Sequence, residues 1–264
     1  ILIGNGSDEI IQIVAQALAR PGAALVAPEP SFVMYRMNAL YTGMRYVGVS
    51  LAPDFTLDPA RMLAAIHEAK PALVFIAYPN NPTGNLFPED AVARIIEATP
   101  GLVVLDEAYH VFAGRTFMHR LREFPNLLVM RTVSKLGLAG IRLGYAAAAP
   151  EWIAEFDKVR PPYNVNVITQ FVAERLLGRV AVLEKQAEAI KTERDRLAGR
   201  LRDLHGVEPF PSEANFILTR VPDAATVYKR LQERRVLVRN LHGSHPLLAN
   251  CLRITVGTPG ENEL

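Results

Sequence analysis

The sequence predicts an α/β protein: a mostly parallel sheet covered on both faces by helices, followed by a second, smaller α/β domain. Two observations carry this. Short, continuously apolar runs such as residues 72–78 and 102–105 alternate with amphipathic helical stretches, the pattern of strands buried on both faces. After Pro150 the texture changes to helices, one of them long and charged, and then to short strands again. The 264 residues, half of them hydrophobic, are enough for a large core.

The elements follow in order. Ser7, with Asp8 and Glu9 behind it, reads as the N-cap of a helix reaching residue 19. Residues 23–27 read as a strand closed by Pro28-Glu29-Pro30, 31–41 as a helix and 45–49 as a strand. The alternation continues with a helix over 59–69, a strand over 72–78, a helix over 88–98 and a strand over 102–105 that ends at Asp106. Strands are expected at 127–131 and 143–148, then helices at 151–160 and 167–177. A helix over 180–204, rich in Glu, Lys, Arg and Ala, has the composition of a bridge between domains. Its Lys185, Lys191, Arg194 and Arg196 read as a solvated face. Strands at 215–219, 236–239 and 251–256 and a helix at 224–234 complete the small unit. The boundary is placed near residue 180, with a large domain over 1–180 and a small one over 181–264. Residues 1–4 lack an initiator methionine and read as the end of a strand, and residues 260–264 stop where a helix could begin. The expectation is a fragment of a longer chain.

Several function classes are disfavoured. A net charge of +2 is too small to suggest nucleic acid or an anionic membrane as partner. No apolar stretch is long enough to cross a bilayer. Cys251 is the only cysteine, so an intramolecular disulfide and a cysteine metal cluster are both excluded, which fits the reducing cytoplasm. His242 and His245 share a loop without a third metal ligand nearby, and no metal is expected.

The chemistry gathers where strands of such a sheet end, which is where these sheets place ligands. Lys135 follows the apolar run Leu127-Leu128-Val129-Met130, and a lysine there is costly unless it has a chemical task. Forming a Schiff base with a carbonyl compound is one such task. Thr132, Ser134 and Arg142 beside it suit a phosphate. Gly4-Asn5-Gly6-Ser7-Asp8 feeds a helix N-terminus, an anion site in which Ser7 and Asp8 stand first. The turn Tyr78-Pro79-Asn80-Asn81-Pro82-Thr83-Gly84 presents Asn81 to a cleft. Asp106, in Asp106-Glu107-Ala108-Tyr109, needs a cationic partner at a buried strand end, and a pyridinium is a suitable one. Phe32 is either a core residue or a ring that stacks on a flat ligand.

The order anion loop, aromatic, Asn-Pro-Thr-Gly turn, Asp-Glu-Ala-Tyr, Ser-Lys and Arg resembles the class I/II, fold-type I aminotransferases dependent on pyridoxal 5′-phosphate (PLP). Within them the chain is most similar to the histidinol-phosphate branch. That match rests on residues 4–9, 134–145, 214–218 and 251–257. The resemblance implies a three-layer α/β/α fold and a homodimer. It also implies ping-pong transamination of L-histidinol phosphate with 2-oxoglutarate, giving imidazole-acetol phosphate and L-glutamate in L-histidine biosynthesis. It implies roles too: Lys135 bonds the PLP aldehyde and moves the substrate proton, Asp106 pairs with the pyridine nitrogen, and Asn81 and Tyr109 bind the ring oxygen. Phe32 stacks on the ring, and Ser7, Asp8, Thr132, Ser134 and Arg142 hold the phosphate. Arg253, with Arg239 as a second candidate and Asn81 beside them, binds the substrate anion. The family's amino-terminal segment, which lends a tyrosine to the neighbouring subunit, has no counterpart in these residues. The same residue set leaves open an aromatic amino acid aminotransferase, a PLP decarboxylase of a phosphorylated amino acid, and a non-catalytic module on the PLP scaffold.

Overall fold

The computed structural model describes residues 1–264 as two sheets and their helices. The chain runs through β1 (Leu2–Gly4), α1 (Ser7–Leu18), β2 (Ala24–Glu29), α2 (Val33–Thr42), β3 (Arg45–Ser50), α3 (Pro59–Ala69), β4 (Leu73–Ala77), α4 (Glu89–Ala98), β5 (Leu102–Asp106) and the short α5 (His110–Ala113). It continues through β6 (Leu127–Thr132), β7 (Gly144–Ala147), α6 (Pro150–Val159), α7 (Val167–Leu177) and α8 (Val180–Arg202). The last part is β8 (Glu208–Pro209), β9 (Phe216–Arg220), α9 (Ala224–Glu233), β10 (Arg239–Asn240), β11 (Cys251–Thr255) and α10 (Pro259–Asn262).

The large sheet has the order β1-β7-β6-β5-β4-β2-β3. Strands β2 to β6 are mutually parallel, and β7 runs antiparallel to both β6 and β1. Side chains alternate across a strand, and here they sort into two cores. On one face Val74, Ile76, Val103 and Leu105 pack with Met62 and Ile66 of α3 and Val92 and Ile96 of α4. On the other, Leu73, Phe75, Leu102 and Val104 pack with Ile10 and Val14 of α1, Tyr35 of α2 and Phe156 of α6. Helices on both faces explain why β4 and β5 are apolar at nearly every position. Each fully buried side chain of this kind contributes roughly 1.5–3 kcal/mol. The small sheet, β10-β11-β9-β8, is antiparallel throughout. Phe210, Leu218, Leu248 and Cys251 join the first of the two cores, so the small sheet packs on the large one. No helix is long and apolar enough to cross a membrane.

Four local expectations change. Ser7 is not the N-cap of α1; Gly6 is, with φ 84°, and no side chain caps the helix. The chain enters through a left-handed residue that glycine tolerates, and the first-turn N–H groups stay open. Residues 236–238 are not strand: Arg235 takes a left-handed φ of 62° after α9 and the Val236 N–H bonds Leu231 O, so pairing with β11 begins only at Arg239. Helix α8 ends at Arg202 rather than 204. Arg194 is buried, not on a solvated face, because α8 lays it against the loop before β9, where its Nη1 donates to Ala214 O at 3.3 Å.

Candidate active site

Parallel register carries Ala77 of β4, Asp106 of β5 and Met130 of β6 to the same level. The segments that leave these strands therefore meet at one edge of the sheet: the turn with Asn81, the stretch Asp106–Tyr109, and the 3₁₀ turn Ser134–Leu136 that carries Lys135. Lys135 stands three residues beyond the end of β6, half-buried on that turn rather than in the strand.

Asp106 is buried, 4% exposed, and takes part in no ion pair. Its Oδ2 accepts from the Tyr35 hydroxyl at 2.8 Å and its Oδ1 from the Ala108 N–H at 3.1 Å. Burial lifts its pKa to about 6, against the pull of these two hydrogen bonds and of Lys135. Burial, and then the nearby Arg253 guanidinium, push Lys135 below the usual lysine range. Its Nζ lies 5.3 Å from the centre of the Tyr109 ring. Tyr109 is buried edge-on against Phe216, with centroids 5.2 Å apart, and burial pushes its phenol up to about 12.

Arg253, on β11, reaches the same place from the small sheet. Its guanidinium stacks 4.9 Å over the Phe216 ring, and Nη1 donates to Asn81 Oδ1 at 2.6 Å. Its Nε is buried without a hydrogen-bond partner. Asn81 thus gives its oxygen to Arg253 and keeps its Nδ2 amide free to donate. Its neighbour Asn80 is wholly buried and holds the turn, donating to Pro30 O and Thr83 Oγ1 and accepting from Ser31. Arg239 is exposed and lies directly across from Arg253 on β10.

The second half of the site forms where β7 meets the start of α1. A Cβ on Gly144 would come within 2.8 Å of the Gly6 carbonyl carbon and the Ser7 nitrogen, so strand and helix entry are in direct contact. A Cβ on Gly6 would lie 2.6 Å from Arg142 Nη2, which itself contacts Asp8 Oδ2 at 3.3 Å. Thr132 and Ser134 close this corner, their hydroxyls 2.8 Å apart. Phe32, just before α2, is half-buried and meets the Tyr35 ring edge-on at 5.7 Å.

Two groups at the site escaped the sequence. One is Tyr35, in the first turn of α2, whose ring meets that of Phe32 just before the helix. The other is the ion pair of Glu107 and Arg131. Glu107 is wholly buried and receives Arg131 Nε at 2.9 Å, the Thr116 hydroxyl at 2.8 Å and the Phe117 N–H at 2.7 Å. An arginine inside an apolar strand was the signal for it, since such a charge requires a partner. His242 and His245, set aside as metal ligands, accept from the Asn250 and Leu247 N–H groups, and burial drops His110, next to Tyr109, to about 4.

Three features test whether these residues fit PLP. The buried carboxylate of Asp106 receives only neutral donors and has room for a ring N–H. The side-chain-free Gly6 lies under Arg142 at an uncapped helix start, a cradle for a phosphate. Between them Lys135 carries a lowered pKa. The donor set fits a flat pyridine with an aldehyde and a phosphate.

The chain matches the family described as Aminotransferase class I and II over residues 1–264. It is 58% identical to a histidinol-phosphate aminotransferase of Chromobacterium violaceum, over 99% of this chain and 74% of that one. It is 57% identical to histidinol-phosphate aminotransferase 2 of Cupriavidus pinatubonensis, over 99% and 73%. Among solved structures, the histidinol-phosphate aminotransferase of Sinorhizobium meliloti in complex with pyridoxal-5′-phosphate superposes with a TM-score of 0.90 at 29% identity, over 99% of this chain and 73% of that one.

Proposed function

Because the chain belongs to the class I and II aminotransferase family, we propose that it transfers the amine of L-histidinol phosphate to 2-oxoglutarate with PLP as cofactor, in the cytoplasm, as a step of L-histidine biosynthesis. The products are imidazole-acetol phosphate and L-glutamate. Relatives more than half identical along nearly the whole chain carry the enzyme class. The arrangement of Arg253 and Arg239 supports the substrate. Residues paired across antiparallel strands share a face of the sheet, so the two arginine side chains leave the same face side by side. A phosphate dianion suits such a pair, and Arg253 Nε has a donor to spare.

When bound, PLP supplies an electron sink for the carbon that bears the amine. Asp106 would hold its ring nitrogen, Asn81 and Tyr109 its ring oxygen, Phe32 its face, and Ser7, Asp8, Thr132, Ser134 and Arg142 its phosphate. Lys135 would bond the aldehyde. Its Nζ is also the base placed to take the proton from the amine-bearing carbon, and its lowered pKa leaves a larger fraction neutral for that task. The packing of the small sheet against this edge excludes water from the Arg253 side. In this reading the chain divides into a large, cofactor-holding domain over 1–180 and a small one over 181–264.

A homodimer belongs to this reading. Tyr163, Val167, Ile168 and Phe171 stand 96%, 79%, 75% and 55% exposed along the approach to α7 and on it, an apolar surface of the kind that marks an interface. Sedimentation at micromolar concentration checks it, and a lone monomer would contradict it.

The substrate is tested by the absorbance of the PLP-loaded protein. L-Histidinol phosphate should convert the bound cofactor to its amine form and 2-oxoglutarate should restore it. Conversion by aromatic amino acids alone would replace the substrate, and release of CO₂ without need of 2-oxoglutarate would replace the reaction.

A further inference from the structure

Tyr35 joins two functional side chains that the sequence separates by 74 positions. Its ring is wholly buried, stacked on Phe75 with centroids 4.6 Å apart and planes 2° from parallel. The edge of Phe32 meets it at 5.7 Å, and its hydroxyl donates to Asp106 Oδ2 at 2.8 Å. The stacking ring and the carboxylate partner of the cofactor therefore rest on one phenol. We propose that Tyr35 is a positioning residue for PLP: its hydroxyl holds Asp106 ionised and turned toward the pyridine nitrogen, while its ring fixes Phe32 against the cofactor face. The inference rests on the reading that Asp106 pairs with that nitrogen.

The chemistry supports a one-way donor. Burial, with Asp106 beside it, pushes the Tyr35 phenol well above its ordinary value, so it keeps its proton throughout the working range. A carboxylate only accepts, and donors to it favour the charged form. The other titratable groups that face Asp106 are Asp8 at the start of α1, which opposes ionisation, Lys135 on the turn after β6, which favours it, and Tyr109 just beyond β5. Its strand neighbours Ala77 and Met130 carry no charge. The hydroxyl of Tyr35 and the Ala108 N–H are thus the only two hydrogen-bond donors to a carboxylate that burial disfavours.

The test uses Tyr35→Phe, which keeps the ring on Phe75 and removes only the hydroxyl. In cofactor-free protein the ¹³C signal of the Asp106 carboxyl, assigned by its loss in Asp106→Asn, is followed against pH. Its midpoint should rise by about one unit in Tyr35→Phe. PLP affinity, read by fluorescence quenching, should fall about tenfold near pH 6 and less at pH 8. In an Asp106→Asn background the same substitution should cost little more. An unmoved carboxyl midpoint overturns the proposal. So does a loss of affinity equally large with Asn at position 106, which would mean that Tyr35 acts through packing alone. If Asp106→Asn binds PLP as tightly as the parent at every pH, the pairing of Asp106 with the cofactor fails first, and the proposal falls with it even if the midpoint moves.

Discussion

At the end of β5, Asp106 and Glu107 are 4% and 0% exposed and each takes its hydrogen bonds from the protein, whereas across the site Arg142 stands exposed with a single 3.3 Å contact to Asp8. The first end is built by the fold. Tyr35 and Ala108 hold Asp106, and Arg131, Thr116 and Phe117 hold Glu107. The second end is two 3₁₀ turns, joined through Gly137 and with Gly140 inside the second, and a Cβ at either glycine would meet nothing within 4 Å. The difference teaches where each kind of energy is placed. The acidic end is organised in advance at a cost in stability, and the basic end is left open, with its guanidinium free to adapt to a ligand.

Substitutions should separate the two ends, from the largest effect to the smallest. Lys135→Ala should leave the fold intact and cut transamination on the order of 10³-fold or more, read by a coupled glutamate assay. Glu107→Ala should do the reverse. It strands the Arg131 guanidinium, which is paired with a wholly buried carboxylate, and breaking such a pair costs about 3 kcal/mol or more in urea unfolding.

Asp106 should show its cost as a pH dependence. Its folded-state value of about 6 lies above the ordinary 3.8, so between these values the native state holds more protons than the unfolded chain. Stability from this group is full below pH 3.8 and falls as pH rises through about 6. Asp106→Asn removes that fall. The cofactor-free variant should gain on the order of 3 kcal/mol over the parent between pH 4 and pH 8, measured by urea unfolding at both. A gain of equal size at both pH values would break the assignment. Arg142→Gln, at the exposed end, should change the stability of the cofactor-free protein little and weaken PLP binding about tenfold. A large loss of stability there would erase the contrast between the ends.

Much of this was legible beforehand, for physical reasons. Strands β4 and β5 are buried on both faces, so their apolar runs announced them, and Asp106 stood out as a charge ending such a run. The helix expected over 59–69 is α3, which Asp58 caps by accepting from the Ala60 and Arg61 N–H groups. Ser7 misled because serine is a good N-cap, while the chain enters the helix one residue earlier, through a left-handed Gly6 that leaves that end uncapped. The inward turn of Arg194 depends on a loop 20 residues away, and that of Tyr35 on a strand 71 residues away, and no local period reports such contacts. The antiparallel pairing that sets Arg239 across from Arg253 was likewise out of reach, although both arginines were singled out by type.

Lys135 is proposed to bond the cofactor opposite Asp106. Borohydride treatment of the PLP-loaded protein traps the cofactor on the lysine that holds it, and mass spectrometry of the digest finds that lysine. One pyridoxyl mass is expected, on the peptide that contains Lys135. A label on Lys70, Lys158, Lys185, Lys191 or Lys229 instead, or no label at all, would contradict it.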